Sequence, residues 1–560
     1  MDQIIEKGED LVRVENLSLT IEGKRLLKQL SFSLPKNKIT AIVGESGSGK
    51  SLTALSLLGL LPRSKTLFTK GEVWFEGEDI LRYSEKQWQE LRKTALGMVF
   101  QEPQSSLNPS MRCGEQVAEA YRLYAPKDND KKKIREKVLS RFQEVQLQNP
   151  ERIYTAYPHQ LSGGQKQRVM IAMALITEPK LLIADEPTTA LDVIVQKEII
   201  KLLSHLQSKN NMSILFISHD LALVNELADE VMVMYQGELI EKGPTKRLMQ
   251  SPQENYTKAL LHARPNPKIR RERLSTLLDF ENNVLPPIVS ADKRKKVHQQ
   301  LYAQPPLLEV EGLSKTYTTR HFLGKNEEVK VLNNIQFKLY PGETLGLVGP
   351  SGCGKSTLSK ILVHLESATA GEIHFLNQDC TRLNTTALKE YRKKVQFIFQ
   401  DPFAALHPSH RLGQALEEIL AVHEIVPKKA RKQRALLLLE QVGLTAEFYA
   451  RYPHQLSGGQ RQRAVIAKAL AVEPQLLICD ESVAALDISV QAQVLNLLNE
   501  LKEKLQLSYL FISHDLAVVH YMADRILVMH KGEIVEEKEA DALYAQPESP
   551  FTKALLEAVV

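Results

Sequence analysis

Two stretches decide how this chain is read: ITAIVGESGSGKS at 39–51 and TLGLVGPSGCGKS at 344–356. Each begins as an apolar run of strand length and passes straight into the pattern G-x-x-x-x-G-K-[ST]. The strand context matters. Glycines between a strand and a helix let successive backbone N–H groups wrap a phosphate while the helix N-terminus faces the same charge. Gly44, Gly47, Gly49, Lys50 and Ser51 make the first loop; Gly349, Gly352, Gly354, Lys355 and Ser356, with Thr357 next, make the second. The lysines are expected to bridge the β- and γ-phosphates of ATP, and the serines to hold Mg²⁺.

Outward from these loops the same kit appears twice. LLIAD and LLICD are apolar strands whose terminal Asp185 and Asp480 emerge where a carboxylate can organise a Mg²⁺ shell. Glu186 and Glu481 follow, each placed to polarise a water attacking the γ-phosphate. His219 and His514 follow SILFIS and YLFIS, where a histidine can hydrogen-bond the γ-phosphate and hold that water in line. Gln101 and Gln400 end LGMVF and VQFIF; alone they say little, but their position makes them candidate γ-phosphate sensors, members of the catalytic set and Mg²⁺ ligands. Ser162, Gly163 and Gly164, with Ser457, Gly458 and Gly459, open helices and offer unpaired N–H groups, a second anion-binding device in each copy.

The registered repeat of Lys50 and Lys355, Glu186 and Glu481, His219 and His514 sets the organisation. The expected domains are 1–262 and 306–560, joined by 263–305. That joining stretch contains RPNPKIRRERL and NNVLPPIVSADKRKK, and its proline and charge content predict a tether with one short helix around Arg271 to Phe280. Apolar strands alternating with helical stretches predict a largely parallel sheet covered by helices. Between Met111 and Tyr157 the pattern turns charged and helix-periodic, with Ile134, Val138, Phe142 and Val145 on one face, which predicts an inserted helical subdomain.

Composition narrows the function classes. At 560 residues, 43% apolar and 25% charged, the chain is globular, and no apolar run reaches the ~18 residues that cross a bilayer. MDQIIEKGED is too acidic and polar for a secretory signal, so the cytoplasmic side is expected. Cys113, Cys353, Cys380 and Cys479 are too scattered for a metal knot or disulfide scaffold. The net charge of +5 collects in patches such as Lys131–Lys133 and Lys293–Lys296 without interleaved aromatics, so no nucleic-acid partner is expected.

With these motifs in place, the sequence resembles the ATP-binding-cassette (ABC) ATPases over nearly all its length apart from the tether. The glycine loops resemble Walker A, LLIADE and LLICDE resemble Walker B, LSGGQ at 161–165 and 456–460 the family signature, and TALD (189–192) and AALD (484–487) the D-loop. The resemblance implies an α/β fold of two tandem P-loop NTPase domains, each with a RecA-like core, an antiparallel β subdomain and an inserted helical subdomain. It also implies head-to-tail cassettes with each ATP between one Walker loop and the other signature; because the glutamate, histidine and signature serine are intact in both copies, two hydrolysis-competent sites with modest asymmetry are expected. YPHQLSGGQ with SPQENYTKALL and its shorter echo SPFTKALL resembles the oligopeptide/dipeptide/nickel importer branch in its fused form. Such a protein is expected as a monomer on the cytoplasmic face of the inner membrane, docked on two permeases that a solute-binding protein supplies. Peptide, glutathione, nickel and metal chelates all stay open as solutes.

Some residues depart from the pattern. Tyr317 stands where the family stacks an aromatic on adenine, whereas the first copy has Ile21 there, and the loop after Glu186 reads PTTALD against SVAALD after Glu481. Loss of the proline is expected to loosen that second loop. The alternatives are a soluble double cassette acting on ribosomes and the ATPase of an exporter; a DNA-repair cassette would need zinc-binding Cys pairs, and a non-hydrolysing scaffold would make both glutamates superfluous.

Overall fold

In the computed structural model the described residues are 10–61, 66–101, 106–128, 130–189, 191–266, 269–319, 327–484 and 486–557. They fall into two compact units, the first of Met1–Leu191 with Val195–Leu261 and the second of His262–Val560 with Asp192–Ile194. Ala190 and Ala485, within the two D-loop motifs, lie outside the described residues.

The first unit has two sheets among its described residues. β1 (Asp10–Ile21), β2 (Lys24–Pro35), β4 (Thr66–Phe75) and β5 (Glu78–Asp79) pair antiparallel in the order β2-β1-β4-β5. The main sheet is built from β3 (Ile39–Val43), β6 (Leu96–Val99), β7 (Leu181–Asp185), β8 (Ser213–Ile217), β9 (Glu230–Tyr235) and β10 (Glu238–Pro244). Its order is β10-β9-β3-β8-β7-β6, parallel except for the β9–β10 hairpin. Every residue of β3, β7 and β8 is buried, the signature of strands covered on both faces, which is why they read as continuous apolar runs instead of alternating ones. β3 and β7 neighbour β8 on either side, so the glycine loop, Asp185 and His219 all leave the sheet at its carboxyl edge, where open α/β sheets place their ligands.

The second unit repeats this. β11 (Leu308–Thr319), β12 (Glu327–Leu339), β14 (Ala370–Phe375) and β15 (Gln378–Asp379) follow the order β12-β11-β14-β15. β13 (Thr344–Val348), β16 (Val395–Ile398), β17 (Leu476–Asp480), β18 (Ser508–Ile512), β19 (Arg525–His530) and β20 (Glu533–Glu539) follow β16-β17-β18-β13-β19-β20.

The inserted helices also form. Cys113–Tyr124, Lys131–Glu144 and Pro150–Thr155 stand between β6 and β7, and Ile134, Val138, Phe142 and Val145 are buried as their spacing predicts. Leu412–Val422 and Arg431–Gln441 are their counterparts, burying Leu416, Leu420, Leu438 and Leu439.

The stretch 263–305 has more structure than its composition suggests. Its expected helix is Leu277–Glu281, and a second helix, Ala291–Leu301, follows. Thr276 and Asp279 form a capping box on the first, and the Asp279 carboxylate also takes two bonds from Arg273, which hold its pKa down to about 2. Ser290 caps the second. Both belong to the second unit: Arg270 donates to the carbonyls of Tyr521 and Ala523, and Asn496 pairs with both backbone groups of Leu274. Arg294 pairs with Asp541 and Glu539, and His298 lies 3.2 Å from Asp524.

Candidate nucleotide sites

Backbone packing dictates Gly44, the first glycine of the first loop. A Cβ on Gly44 would sit 2.2 Å from the Met234 carbonyl oxygen, so the loop can lie this close to β9 only without a side chain. Gly49, at φ +103°, is the left-handed residue from which the helix Lys50–Leu57 departs. The same contact recurs between Gly349 and the Met529 carbonyl. Gly44→Ala is therefore expected to weaken nucleotide binding at that loop by on the order of tenfold or more while the unit stays folded, as read by titration with a fluorescent ATP analogue.

Lys50 is buried, and its Nζ donates to the carbonyls of Gly44 (2.8 Å) and Glu45 (3.0 Å), which curls the loop around the ammonium. Lys355 repeats this with Gly349 (2.8 Å) and Pro350 (3.0 Å). The Ser51 hydroxyl donates to Asp185 Oδ1 at 3.2 Å, bringing together two residues 134 positions apart. Burial raises the pKa of Asp185 and of Asp480, and Asp480 Oδ1 is buried with no hydrogen-bond partner. A carboxylate oxygen left so beside a serine hydroxyl is a fit for a hard cation with oxygen ligands.

Glu186 is the hub of the first site. Its Oε2 accepts from Gln101 Nε2 (3.0 Å) and Thr189 Oγ1 (3.0 Å), and His219 Nδ1 lies 3.3 Å away. Burial by itself would raise the carboxyl, but the bond to His219, the His219 and Lys50 charges and the Thr189 bond outweigh it and hold the pKa below the ordinary value. Glu481 repeats the pattern with Gln400 Nε2 at 2.8 Å and His514 Nδ1 at 3.5 Å, and its pKa is again lowered. Burial would lower His514; its bond to Glu481 and the neighbouring negative charge raise it instead. Both glutamates sit in the left-handed region, at φ +46° and +48°, a conformation that costs an L-residue on the order of 1–3 kcal/mol and concentrates where function requires it. The Glu186 N–H is held by the Ile217 carbonyl, so the strained residue is pinned to the end of β8.

The histidines are fixed by their neighbours. Ser218 Oγ accepts from the Asp220 N–H, and Asp220 caps the helix Leu221–Leu227; Ser513 and Asp515 do the same around His514. The three residues of SHD thus divide the work between a turn and the histidine it presents.

Ser162 is the N-cap of Gly163–Leu175, and Gln165 completes a capping box, which explains the fifth letter of LSGGQ; Ser457 and Gln460 match them. Ser162 and Gly163 are exposed, whereas a Cβ on Gly164 would meet Val195 at 2.7 Å and one on Gly459 would meet Val490 at 2.3 Å. The first glycine of the pair thus presents backbone, and the second lets two helices pack. Thr357 lies in the first turn of Lys355–Leu362, and Tyr317 stands exposed on β11 with Lys315 Nζ 4.8 Å from its ring centroid.

Sequence reading missed three features: Thr189, the strained glutamate backbone, and the capping role of Gln165 and Gln460. Thr189 was signalled by the contrast of PTTALD with SVAALD, since Ala484 in the second copy has no hydroxyl to give Glu481. The loop after Glu481 differs from that after Glu186 in sequence. Its turn keeps the Ala484 N–H to Glu481 and Leu486 N–H to Val483 bonds that match those of Thr189 and Leu191.

Residues 27–189 and 332–484 match the ABC transporter family, and these spans hold the glycine loops, the glutamates and the signatures. The chain belongs to that family. As an ABC transporter ATP-binding protein it binds nucleotide and hydrolyses ATP to power transport. Residues 240–285 match the oligopeptide/dipeptide transporter C-terminal region, which runs from β10 into the stretch read as a tether. The glutathione import ATP-binding protein GsiA of Escherichia coli O6:H1 is 41% identical over 98% of this chain and 89% of its own length, and so is GsiA of Shigella dysenteriae serotype 1. Among solved structures, the dimeric ATP-binding cassette MJ0796 bound to ADP and Pi is 30% identical, covers 42% of this chain and 98% of its own, and has a TM-score of 0.38. Among the described residues no helix is long and apolar enough to cross a membrane.

Proposed function

We propose that this ABC transporter ATPase hydrolyses ATP at two sites to drive import of a peptide or similarly small solute through two permease subunits, at the cytoplasmic face of the inner membrane. The observation that carries the two-site reading is the repetition, in each unit, of a glutamate bonded by a glutamine and paired with a histidine beside a buried loop lysine. Likeness to the glutathione importers and the oligopeptide-type extension favour import and a small peptide-like solute, delivered by a solute-binding protein.

In the first site Lys50 and the N–H groups of the glycine loop bind and orient the phosphates. Ser51 and Asp185 would hold Mg²⁺, with Gln101 completing the set; Ser356, Asp480 and Gln400 would do so in the second. The ion supplies charge neutralisation at the phosphate oxygens. Glu186 and Glu481, ionised at neutral pH, take the proton of the attacking water, and His219 and His514 orient it. The serine and glycines that open each signature helix serve as further phosphate donors.

Affinity isolation of the tagged chain from gently solubilised membranes, followed by mass spectrometry, tests the physiological reading. Two multispan permeases and a solute-binding protein are the expected companions. Ribosomal subunits without any permease would overturn it.

A further inference from the structure

The extension after β10 reaches back to the first glycine loop. Glu241 on β10 is buried and accepts the N–H groups of Gln253 (3.0 Å) and Glu254 (3.3 Å), which fixes the entry to the helix Asn255–His262. That helix places Tyr256, only 7% exposed, against Tyr235 at the end of β9, ring centroids 4.3 Å apart. The Tyr256 hydroxyl accepts the Glu45 N–H at 3.2 Å. Glu45 follows Gly44, and the Gly44 carbonyl, the other end of that same peptide, accepts from Lys50 Nζ at 2.8 Å, so the tyrosine holds one side of the peptide whose other side holds the lysine.

The second unit keeps the scaffold and lacks both partners. Glu536 accepts the N–H groups of Glu548 and Ser549, and Phe551 stacks on His530 at 4.0 Å. At the position of Tyr256 stands Phe551, without a hydroxyl; at the position of Glu45 stands Pro350, without an N–H. A proline with a tyrosine would strand an acceptor, and a glutamate with a phenylalanine would strand a donor. Each copy instead carries a matched pair, which random drift at one position would not produce.

We propose that Tyr256 is a positioning residue of the first nucleotide site, through which the C-terminal extension sets the shape of that glycine loop and hence its ATP affinity, while the second loop is set by Pro350 without such a bond. The proposal rests on the reading of Gly44–Ser51 as a phosphate loop. It makes the extension a lever on one site only.

The test uses the full chain with Lys355→Ala, which silences the second loop, titrated with a fluorescent ATP analogue and Mg²⁺. Tyr256→Phe is expected to weaken binding about fivefold, the loss of one hydrogen bond. Adding Glu45→Pro, which recreates the pair of the second copy, is expected to restore affinity to about twofold of the parent, a rescue that simple loosening of the helix would not give. In the Lys50→Ala background, Phe551→Tyr is expected to leave binding at the second loop unchanged, since Pro350 has no proton to donate. Unchanged binding in Tyr256→Phe, or a double variant as weak as the product of the singles, overturns the proposal. A Lys355→Ala parent that binds no nucleotide overturns instead the phosphate-loop reading beneath it.

Discussion

Phosphate release by the double variant Glu186→Gln, Glu481→Gln is expected to fall by on the order of 10²–10⁴-fold, and each single variant to lose at least about half of the wild-type rate. Glutamine keeps the shape of the side chain and can keep a bond to Gln101 or Gln400, so the change isolates the negative charge. That charge is protected in the folded protein. In each site, bonds and charges from the histidine and the loop lysine outweigh burial and hold the carboxyl below its ordinary pKa, so both glutamates are ionised across the neutral range. Removing the Glu481 charge also removes the largest influence that raises His514, leaving the Asp515 charge alone against burial and the Lys355 charge, which favour the neutral imidazole. Nucleotide binding is expected to survive, because the loop lysines and glycines are untouched; a fluorescent ATP titration separates loss of chemistry from loss of fold. The measurement is steady-state phosphate release by purified chain. A single variant indistinguishable from wild type would sink the expectation of two competent sites.

The two sites share this core and differ at its edge. Among the described residues Thr189 gives Glu186 one more hydrogen bond than Glu481 receives, Tyr256 grips the first loop alone, and Asp480 Oδ2 accepts from Ser359 at 3.5 Å where Asp185 Oδ1 takes a bond from Ser51. Each of these contrasts is an added or altered bond beside residues that repeat in both units, so the asymmetry is expected to fall on affinity and timing.

What the sequence made legible follows from how each feature is encoded. The glycine loop, Asp185, Glu186 and His219 lie at ends of buried strands, and continuous apolar runs such as LLIAD and SILFI mark such strands directly. The helical insertion was legible because Ile134, Val138, Phe142 and Val145 keep a helical period. The φ of +46° at Glu186 was not, since no local pattern announces a left-handed glutamate; it is imposed by the bond of its N–H to Ile217, which only the parallel sheet supplies. The bond from Tyr256 to Glu45 spans 211 positions and joins two residues that look ordinary alone. Comparing the copies position by position would have exposed it, because both partners change together.

The fate of the stretch 263–305 rests on the same kind of comparison. Its proline and lysine content reads as a tether, yet two of the residues it meets on the second cassette, Asn496 and Asp541, stand where the first cassette has Lys201 and Lys246. An acidic and neutral docking face replaces a basic one, and the arginines of this stretch follow the charge. Burial and the nearby Arg294 charge bring Arg270 down to about 10, still protonated at neutral pH, and Asp541 lies near both guanidinium groups. Burial would raise Asp541 and Asp524, but His520 and the two arginines act on the first, and Lys502, His298 and the Thr344 N–H on the second, and both are held well below the ordinary carboxylate range. Depressed acids contribute stability that is full above their unfolded pKa of about 3.9 and is lost as pH falls through the folded values, so the docking is intact at pH 5 as at pH 7. Replacing Arg270 and Arg294 together by alanine removes the cations and leaves carbonyls and carboxylates exposed to whatever water enters. A buried pair broken on one side costs about 3–5 kcal/mol; because the Asp541 side chain is 45% exposed, about 2–4 is the expected range here. Hydrogen exchange read by mass spectrometry is therefore expected to accelerate by on the order of 10²-fold in the helix Ala291–Leu301, with β13, β17 and β18 keeping their protection. Equal acceleration in those strands would mean that the stretch is part of the cooperative core of the cassette, and unchanged exchange in the helix would mean that the arginines do not hold it.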